Sequence, residues 1–315
     1  MFPYHHLVSD EDVIHIKHLY EYKNVRQFTA DLEFLLRYYK PVAVSDVVQT
    51  ISSKKKLATN TFLLTFDDGL REVSDVVAPI LQKKGIPAVF FINPGFLDNR
   101  ELFYRFKISL VIEAITRKEN DPGLLKECGI ILKKKFQSTQ QLIAHLRSIM
   151  DENKIVLDEL ARKLDFTFEE YLKNNRPYLT SVQVKELGNA GFTIGSHSWD
   201  HPYYKFLSLD EQKKQTIQSS DYIKNIFHPS YNLFSFPHMD TEVTQDFFDE
   251  MALEYPNIDA FFGVQNQKSE LQNKMVHRFN AERPGLPMTK QLNGIIMFIF
   301  LQRLFKNQYV KRKYA

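Results

Sequence analysis

The stretch from Thr61 to Ile92 constrains this chain most, because it reads as strand, helix, strand within about 30 residues, the βαβ unit of a parallel sheet. Thr61 to Phe66 is a continuous run of aromatic, aliphatic and β-branched residues that stops abruptly at Asp67-Asp68-Gly69. Val73, Val76, Val77, Ile80 and Leu81 then recur at helical spacing, and Gly85 and Pro87 supply the stop. Pro79 falls inside that helix and predicts a kink. Ala88 to Ile92 is a second buried strand, closed by Asn93-Pro94-Gly95. The same grammar returns later. Thr180 and Gln183 fit a capping box, Val184 and Leu187 mark a short helix, and Gly191 ends it before a strand from Phe192 to Gly195. Tyr231 to Phe236 and Ala260 to Val264 read as two further strands. Alternating β and α elements with near-continuous apolar strands predict an α/β architecture, a deformed (β/α) barrel in preference to a doubly wound sheet. The Lys-, Glu- and Leu-rich stretch at about 101–176 reads as a helical insertion in one domain spanning 1–315.

Composition narrows the function classes. With 315 residues and 43% hydrophobic side chains the chain can bury a full core. A formal charge of only +3 gives no electrostatic case for nucleic acid. The single cysteine, Cys128, excludes an intramolecular disulfide and a Cys-rich zinc site, so a metal must be held by His and carboxylate. The first residues, Met1-Phe2-Pro3-Tyr4-His5-His6, lack the basic and apolar regions of a secretory signal, which predicts a cytoplasmic protein. The apolar run from Gly294 to Leu301 is too short to span a bilayer. Arg303, Lys306, Lys311, Arg312 and Lys313 follow it; the segment reads first as a final helix with a solvated tail, the alternative being peripheral contact with an anionic membrane.

The chemistry-bearing residues stand just after predicted strands, where binding groups of parallel barrels converge. Asp67-Asp68-Gly69 follows one strand, His197-Ser198-Trp199-Asp200-His201 another, Pro237-His238 a third, and His277-Arg278 lies near a further one. His197 and His201 are four residues apart, so a single helical turn would aim both imidazoles at one metal ion. Alone, each pair has a bland reading: two unrelated surface histidines, or an acidic turn at a helix start. Together, two His and one carboxylate leave coordination positions open for water and substrate, and the other carboxylate can serve as a base.

These residues carry a resemblance. Thr65-Phe66-Asp67-Asp68-Gly69 with His197-Ser198-Trp199-Asp200-His201 resembles the two leading signatures of the polysaccharide deacetylase family, the NodB-homology or carbohydrate esterase family 4 enzymes. Pro79-Ile80-Leu81, Gly85-Ile86-Pro87-Ala88 and Phe90-Phe91 are similar to the stretch between them. The resemblance covers 61–95 and 180–240 and fades toward 280. It implies a deformed (β/α) barrel that removes N-acetyl groups from an N-acetylated carbohydrate. It further implies Asp67 as general base and Asp68, His197 and His201 as ligands of one divalent ion, zinc first, with cobalt, nickel or manganese as substitutes. The alternatives are another amidohydrolase on the same scaffold, acting on a cyclic imide or ureide, and an inactive carbohydrate-binding relative.

The third signature departs from the family. Where Arg-x-Pro-Tyr or Arg-x-Pro-Gly is usual, this chain has Ser235-Phe236-Pro237-His238, so the Arg that orients the catalytic Asp is missing. Pro237 remains, the backbone N–H of His238 is the expected oxyanion donor, and Arg278 is the expected replacement for the orienting charge. Met275-Val276-His277 resembles the final Leu-x-His signature, which would make His277 the acid for the leaving amine. His238 reads equally as a pocket wall, and Trp199 as a sugar platform or a core residue. Tyr4-His5-His6 has no periodic context and reads as a structural N-terminal segment.

Overall fold

The computed structural model describes residues 1–53, 57–118 and 121–314. The chain divides into two compact units, one built from Met1–Asp10, Tyr22–Asp98 and Tyr178–Ala315, the other from Glu11–Glu21 and Asn99–Pro177. The second unit is helical. It comprises Tyr104–Arg117, Leu124–Ile131, Thr139–Arg147, Ile155–Lys163 and Phe168–Asn175, and buries Phe106, Val111, Leu142, Leu146, Leu157 and Leu160. Cys128 is buried on the second of these helices, where it is a free thiol pushed up to about 11 by burial.

The first unit is a deformed (β/α) barrel. Its principal sheet has nine strands: β1 (Pro3–His5), β2 (Leu64–Phe66), β3 (Ala88–Ile92), β4 (Thr193–Ser196), β5 (Leu233–Ser235), β6 (Ala260–Gly263), β7 (Ser269–Glu270), β8 (Met275–His277) and β9 (Phe279–Asn280). They run β9-β1-β2-β3-β4-β5-β6-β8-β7, parallel throughout except for the β7–β8 edge pair. Strands β8 and β9 are one chain segment that changes partner at Arg278: β8 pairs with β6, and β9 pairs with β1 at the opposite end of the sheet. That segment joins the two ends of the curled sheet, with the Arg278 side chain at the joint.

The apolar runs follow from burial on both faces. Along β3, Ala88, Phe90 and Ile92 pack into the layer under the helices, whereas Val89 and Phe91 enter the interior with Leu63, Phe262 and Val276. The interior is closed at one end by Val44, Val47 and Ile51 of the helix Val44–Ser53. There is no space for a side chain at Gly195, where a Cβ would come within 2.6 Å of the Phe91 ring and 3.0 Å of the Leu233 carbonyl oxygen.

Several local expectations need correction. The run Thr61 to Phe66 is not one strand: Thr61–Phe62 pairs with Lys40–Pro41, and the Leu63 N–H turns to the Met1 carbonyl at 3.0 Å before β2 begins. One sequence run thus serves two sheets. Pro79 causes no break, because a π-helical turn at Val73–Val77 precedes the α-helix Ala78–Lys84 and leaves Pro79 in its first turn, where a missing N–H costs nothing. The Thr180–Gln183 capping box is present on the helix Ser181–Asn189. The tail after the last helix, Met288–Leu304, is not solvated throughout: the Ser269 N–H donates to Gln308 O at 2.9 Å, the Val310 N–H to Ser269 O at 3.1 Å, and the Arg312 side chain is buried.

Candidate active site

Asp67 and Asp68 follow β2 directly, and backbone geometry separates their directions. Asp68 has φ 71° and Gly69 φ 61°, and a Cβ at Gly69 would meet Ile92 Cγ2 at 3.2 Å. Only glycine fits that second left-handed position without strain, which gives the Asp-Asp-Gly turn its physical reason. The Asp67 N–H is tied to the His5 carbonyl across the sheet at 3.0 Å. Non-glycine residues with positive φ recur nearby at Ser198, His201 and His238, with values of 61°, 61° and 56°. Such strain is held only where the surroundings over-determine it.

Asp68, His197 and His201 converge, but not by a helical turn. Residues 197–203 are irregular, and the left-handed residues Ser198 and His201 fold the loop so that the two imidazole centroids lie 4.8 Å apart. The two Nε2 atoms stand 3.5 Å and 3.2 Å from the same oxygen, Asp68 Oδ1, which is buried and makes no hydrogen bond. His197 Nδ1 lies 2.8 Å from the Ser235 carbonyl; a carbonyl only accepts, so Nδ1 carries a proton and, in the neutral tautomer this selects, Nε2 is the nitrogen turned toward Asp68 with its lone pair. A buried carboxylate oxygen without a hydrogen bond, set beside the Nε2 atoms of two imidazoles, is a donor set that fits a divalent cation. Burial alone would raise the Asp68 carboxyl; positive charge placed beside it, as on a protonated His201, holds it well below the usual carboxylate range, and that is the place a cation would take. Burial pushes His201 down despite Asp68, which favours the neutral imidazole that a cation would need.

Asp67 faces a different partner. Arg278 Nη1 donates to Asp67 Oδ1 and Arg278 Nη2 to Asp67 Oδ2, both at 2.8 Å, while Nη1 also reaches Thr65 Oγ1 at 2.9 Å and Nη2 reaches Ser235 Oγ at 2.7 Å. Arg278 is fully buried, and its guanidinium carbon lies 4.9 Å from the Tyr4 ring and 5.4 Å from that of Phe91. The bidentate pair and the aromatic faces offset the cost of burying that charge. Burial would raise Asp67, but Arg278, followed by His197, holds it below its ordinary value. Ser235 therefore ties both halves together, its carbonyl to His197 and its hydroxyl to Arg278. An arginine at 235 would set a second guanidinium against the first.

Tyr4-His5-His6 is the feature that sequence reasoning missed. Pro3–His5 is paired on both sides, between β9 and β2, and the alternation along it sends Tyr4 and His6 to the Asp67 side while His5 stacks on Phe66. Glu282, just after β9, accepts from the backbone N–H groups of His6 and Leu7 at 3.1 and 2.7 Å, and its other oxygen lies 2.7 Å from His6 Nδ1. Burial lowers the His6 pKa, but Glu282, with smaller contributions from Asp68 and Asp67, outweighs it and raises it to about 9. The available signal was the aromatic-His alternation at positions 2, 4 and 6, but three residues containing a proline fall below any strand pattern.

The remaining candidates separate. His238 stacks on Tyr203 with centroids 3.5 Å apart and planes 4° off parallel, and it lies 4.3 Å from the His201 ring, so Tyr203 joins the site as a second aromatic that the motifs did not single out. Trp199 is half-buried against Gly95 and, edge-on, Tyr222. His277 does not join the Asp68 group: its Nε2 pairs with Glu270 Oε2 at 2.7 Å, its Nδ1 lies 3.8 Å from Asp240 Oδ2, and its side chain is fully buried. Arg312 Nη2 completes that cluster, at 2.8 Å from Asp240 Oδ2 and 2.9 Å from Glu270 Oε2.

Comparison with known proteins accords with this geometry. The family model described as "Polysaccharide deacetylase" matches residues 54–128 and 133–251. The chain belongs to the polysaccharide deacetylase family. Among curated proteins this family member is 22% identical over 179 residues to the "Putative polysaccharide deacetylase YheN" of Bacillus subtilis (strain 168), a match covering 55% of this chain and 58% of that protein, so the chain spans a little over half the length of that relative. Solved deacetylase-family structures share the fold. The Streptococcus pyogenes deacetylase PplD superposes with a TM-score of 0.58 at 15% identity, covering 93% of this chain and 96% of that one. IcaB from Ammonifex degensii gives 0.55 at 14% identity, covering 93% and 95%, and the de-N-acetylase from Aggregatibacter actinomycetemcomitans gives 0.52 at 15%, covering 88% and 93%.

Proposed function

We propose that this chain hydrolyses the acetamide of an N-acetylated sugar, oligosaccharide or polysaccharide intermediate, with Asp68, His197 and His201 holding one divalent cation and Asp67 acting as base. The observation that carries the reading is the division of labour between adjacent carboxylates, one turned to two imidazoles and the other clamped by a guanidinium. A bound cation, zinc in the first place, would supply Lewis acidity and lower the pKa of water. The rest of the chemistry belongs to the chain. Arg278 fixes both Asp67 oxygens and keeps the carboxylate ionised at neutral pH, so that Asp67 can accept a proton from the attacking water. The backbone N–H of His238 is assigned to the developing oxyanion. His6, oriented by Glu282, is assigned as the acid that protonates the departing amine, in preference to His277, which is enclosed with Glu270 and Asp240. The Tyr203–His238 stack offers an apolar wall for a sugar face. The Streptococcus pyogenes relative is described in complex with acetate, the acyl product of such a reaction, and the Aggregatibacter relative as a de-N-acetylase; both support this reading.

Purified protein is expected to carry about one divalent metal per chain by elemental analysis, to lose it on His197→Ala or His201→Ala, and to release acetate from N-acetylated in preference to O-acetylated sugars. Stoichiometric metal surviving both substitutions would remove the ligand assignment. For the acid, His6→Gln is expected to lower acetate release from an N-acetylated sugar by about 10²-fold while leaving hydrolysis of p-nitrophenyl acetate within a few-fold, because a phenolate departs without protonation. Equal losses on both substrates would assign His6 to structure or binding.

A further inference from the structure

The helix Met288–Leu304 has two apolar faces, and the protein covers one of them. Met288 and Leu292 are buried in the core under the sheet, and Ile295 packs against that core. On the uncovered side Ile296, Phe300 and Leu304 form one row at four-residue spacing, and Met297, Leu301 and Phe305 form the row beside it. Their exposures run from 41% for Leu301 to 74% for Phe305, the latter just past the helix end. A helix apolar on all sides is ordinarily buried on all sides, and a contiguous exposed apolar stripe marks a surface that something covers.

The charge around the stripe identifies what. From Arg283 to Ala315 the chain has seven Lys and Arg residues and no Asp or Glu. One of these, Arg312, is spent internally on Asp240 and Glu270. Lys290, Arg303, Lys306, Lys311 and Lys313 are exposed. Large apolar side chains projecting from a helix flanked by cations match the interface of an anionic bilayer, where the side chains enter the acyl boundary and the cations meet the headgroups. A second copy of this chain fits less well, since a self-complementary contact through this face would bring the same cations together. Among the described residues no helix is long and apolar enough to cross a membrane, so the contact is interfacial. We infer that this helix is a docking surface for an anionic membrane, independent of the hydrolytic reading of the site.

The test is co-sedimentation of the full chain with sucrose-loaded vesicles of phosphatidylcholine alone and of phosphatidylcholine with about one-third phosphatidylglycerol. The expected result is partition onto the anionic vesicles only, weakened by added salt and lowered at least about tenfold in Met297→Gln/Phe300→Gln/Phe305→Gln and in Arg303→Gln/Lys306→Gln. These side chains are exposed, so both variants should keep the wild-type melting midpoint and circular dichroism. Wild type left in the supernatant with anionic vesicles, or partition unchanged in the apolar variant, would overturn the inference. Sedimentation velocity provides the remaining arm: a wild-type dimer that the apolar variant dissociates would reassign the stripe to self-association.

Discussion

Asp67→Asn is expected to lower acetate release by about 10²–10⁴-fold while the protein keeps its metal and its fold, whereas Asp68→Asn is expected to lose metal first. The contrast follows from what each carboxylate touches. Asp67 Oδ1 and Oδ2 each accept from Arg278 at 2.8 Å, and His197 Nε2 stands 4.0 Å from Asp67 Oδ2. Asparagine is nearly isosteric and leaves Asp68, His197 and His201 untouched, but it cannot take up a proton and sets an amide N–H₂ against the Arg278 donors. Asp68 instead presents its oxygen to both Nε2 atoms, so its substitution weakens the cation site, and excess metal should restore part of the activity. Metal content and acetate release measured on both variants separate the roles. Full activity in Asp67→Asn would remove the base assignment, and loss of metal in that variant would make Asp67 a ligand.

The second large effect is one of stability, centred on Arg312. Its guanidinium is sandwiched between two fully buried carboxylates, Asp240 and Glu270, and donates as well to the Val243 carbonyl at 3.0 Å. Arg312→Ala takes the guanidinium from two buried acids and leaves them beside His277, a change expected to cost about 3–5 kcal/mol and to lower the melting midpoint by roughly 10 °C. Burial alone would raise both carboxyls. His277 and Arg312 outweigh it at Asp240, as do His277 and Arg312 at Glu270, so both lie below their ordinary values of 3.8 and 4.5 in the fold. Groups with depressed folded pKa stabilise above the unfolded pKa and lose that contribution as pH falls through the folded one. In the wild type the contribution is therefore complete above about pH 5 and fades below about pH 4; in Arg312→Ala burial is less opposed, so the acid-side loss should shrink and the gap between variant and wild type should narrow as pH falls below about 4. Urea midpoints measured from acid to neutral pH would show it, and a variant as stable as wild type across that range would make the tail dispensable. Because Arg312 lies on the tail that pairs with β7, the same measurement reports whether that tail belongs to the cooperative fold.

Much of this was legible in order along the chain. The βαβ unit, the strand-end position of Asp67-Asp68-Gly69 and the capping box at Thr180 rest on local rules, hydrophobic period and turn chemistry, that neighbouring residues enforce on each other. The family resemblance used the same stretches, and the family model spans them. What failed locally failed for identifiable reasons. The spacing of His197 and His201 pointed to convergence through a helical turn, but two left-handed residues bring them together in a loop, an arrangement that residue spacing does not encode. Pro79 was tolerated because a π-turn shifted the start of the helix.

The sequence by itself determined the barrel class, the donor chemistry and the strand ends that carry it, because each depends on contacts a few residues apart. Only the tertiary structure decided which partners complete those groups. Arg278 meets Asp67 from 211 residues away because the last barrel strand changes partner at that residue, and His6 meets Glu282 across 276 residues because the short first strand lies beside the last. Charge pairs of that separation leave no periodic trace, since what places them is the closure of the sheet and the low dielectric inside it, where an unpaired Arg278 or Glu282 would be too costly to bury.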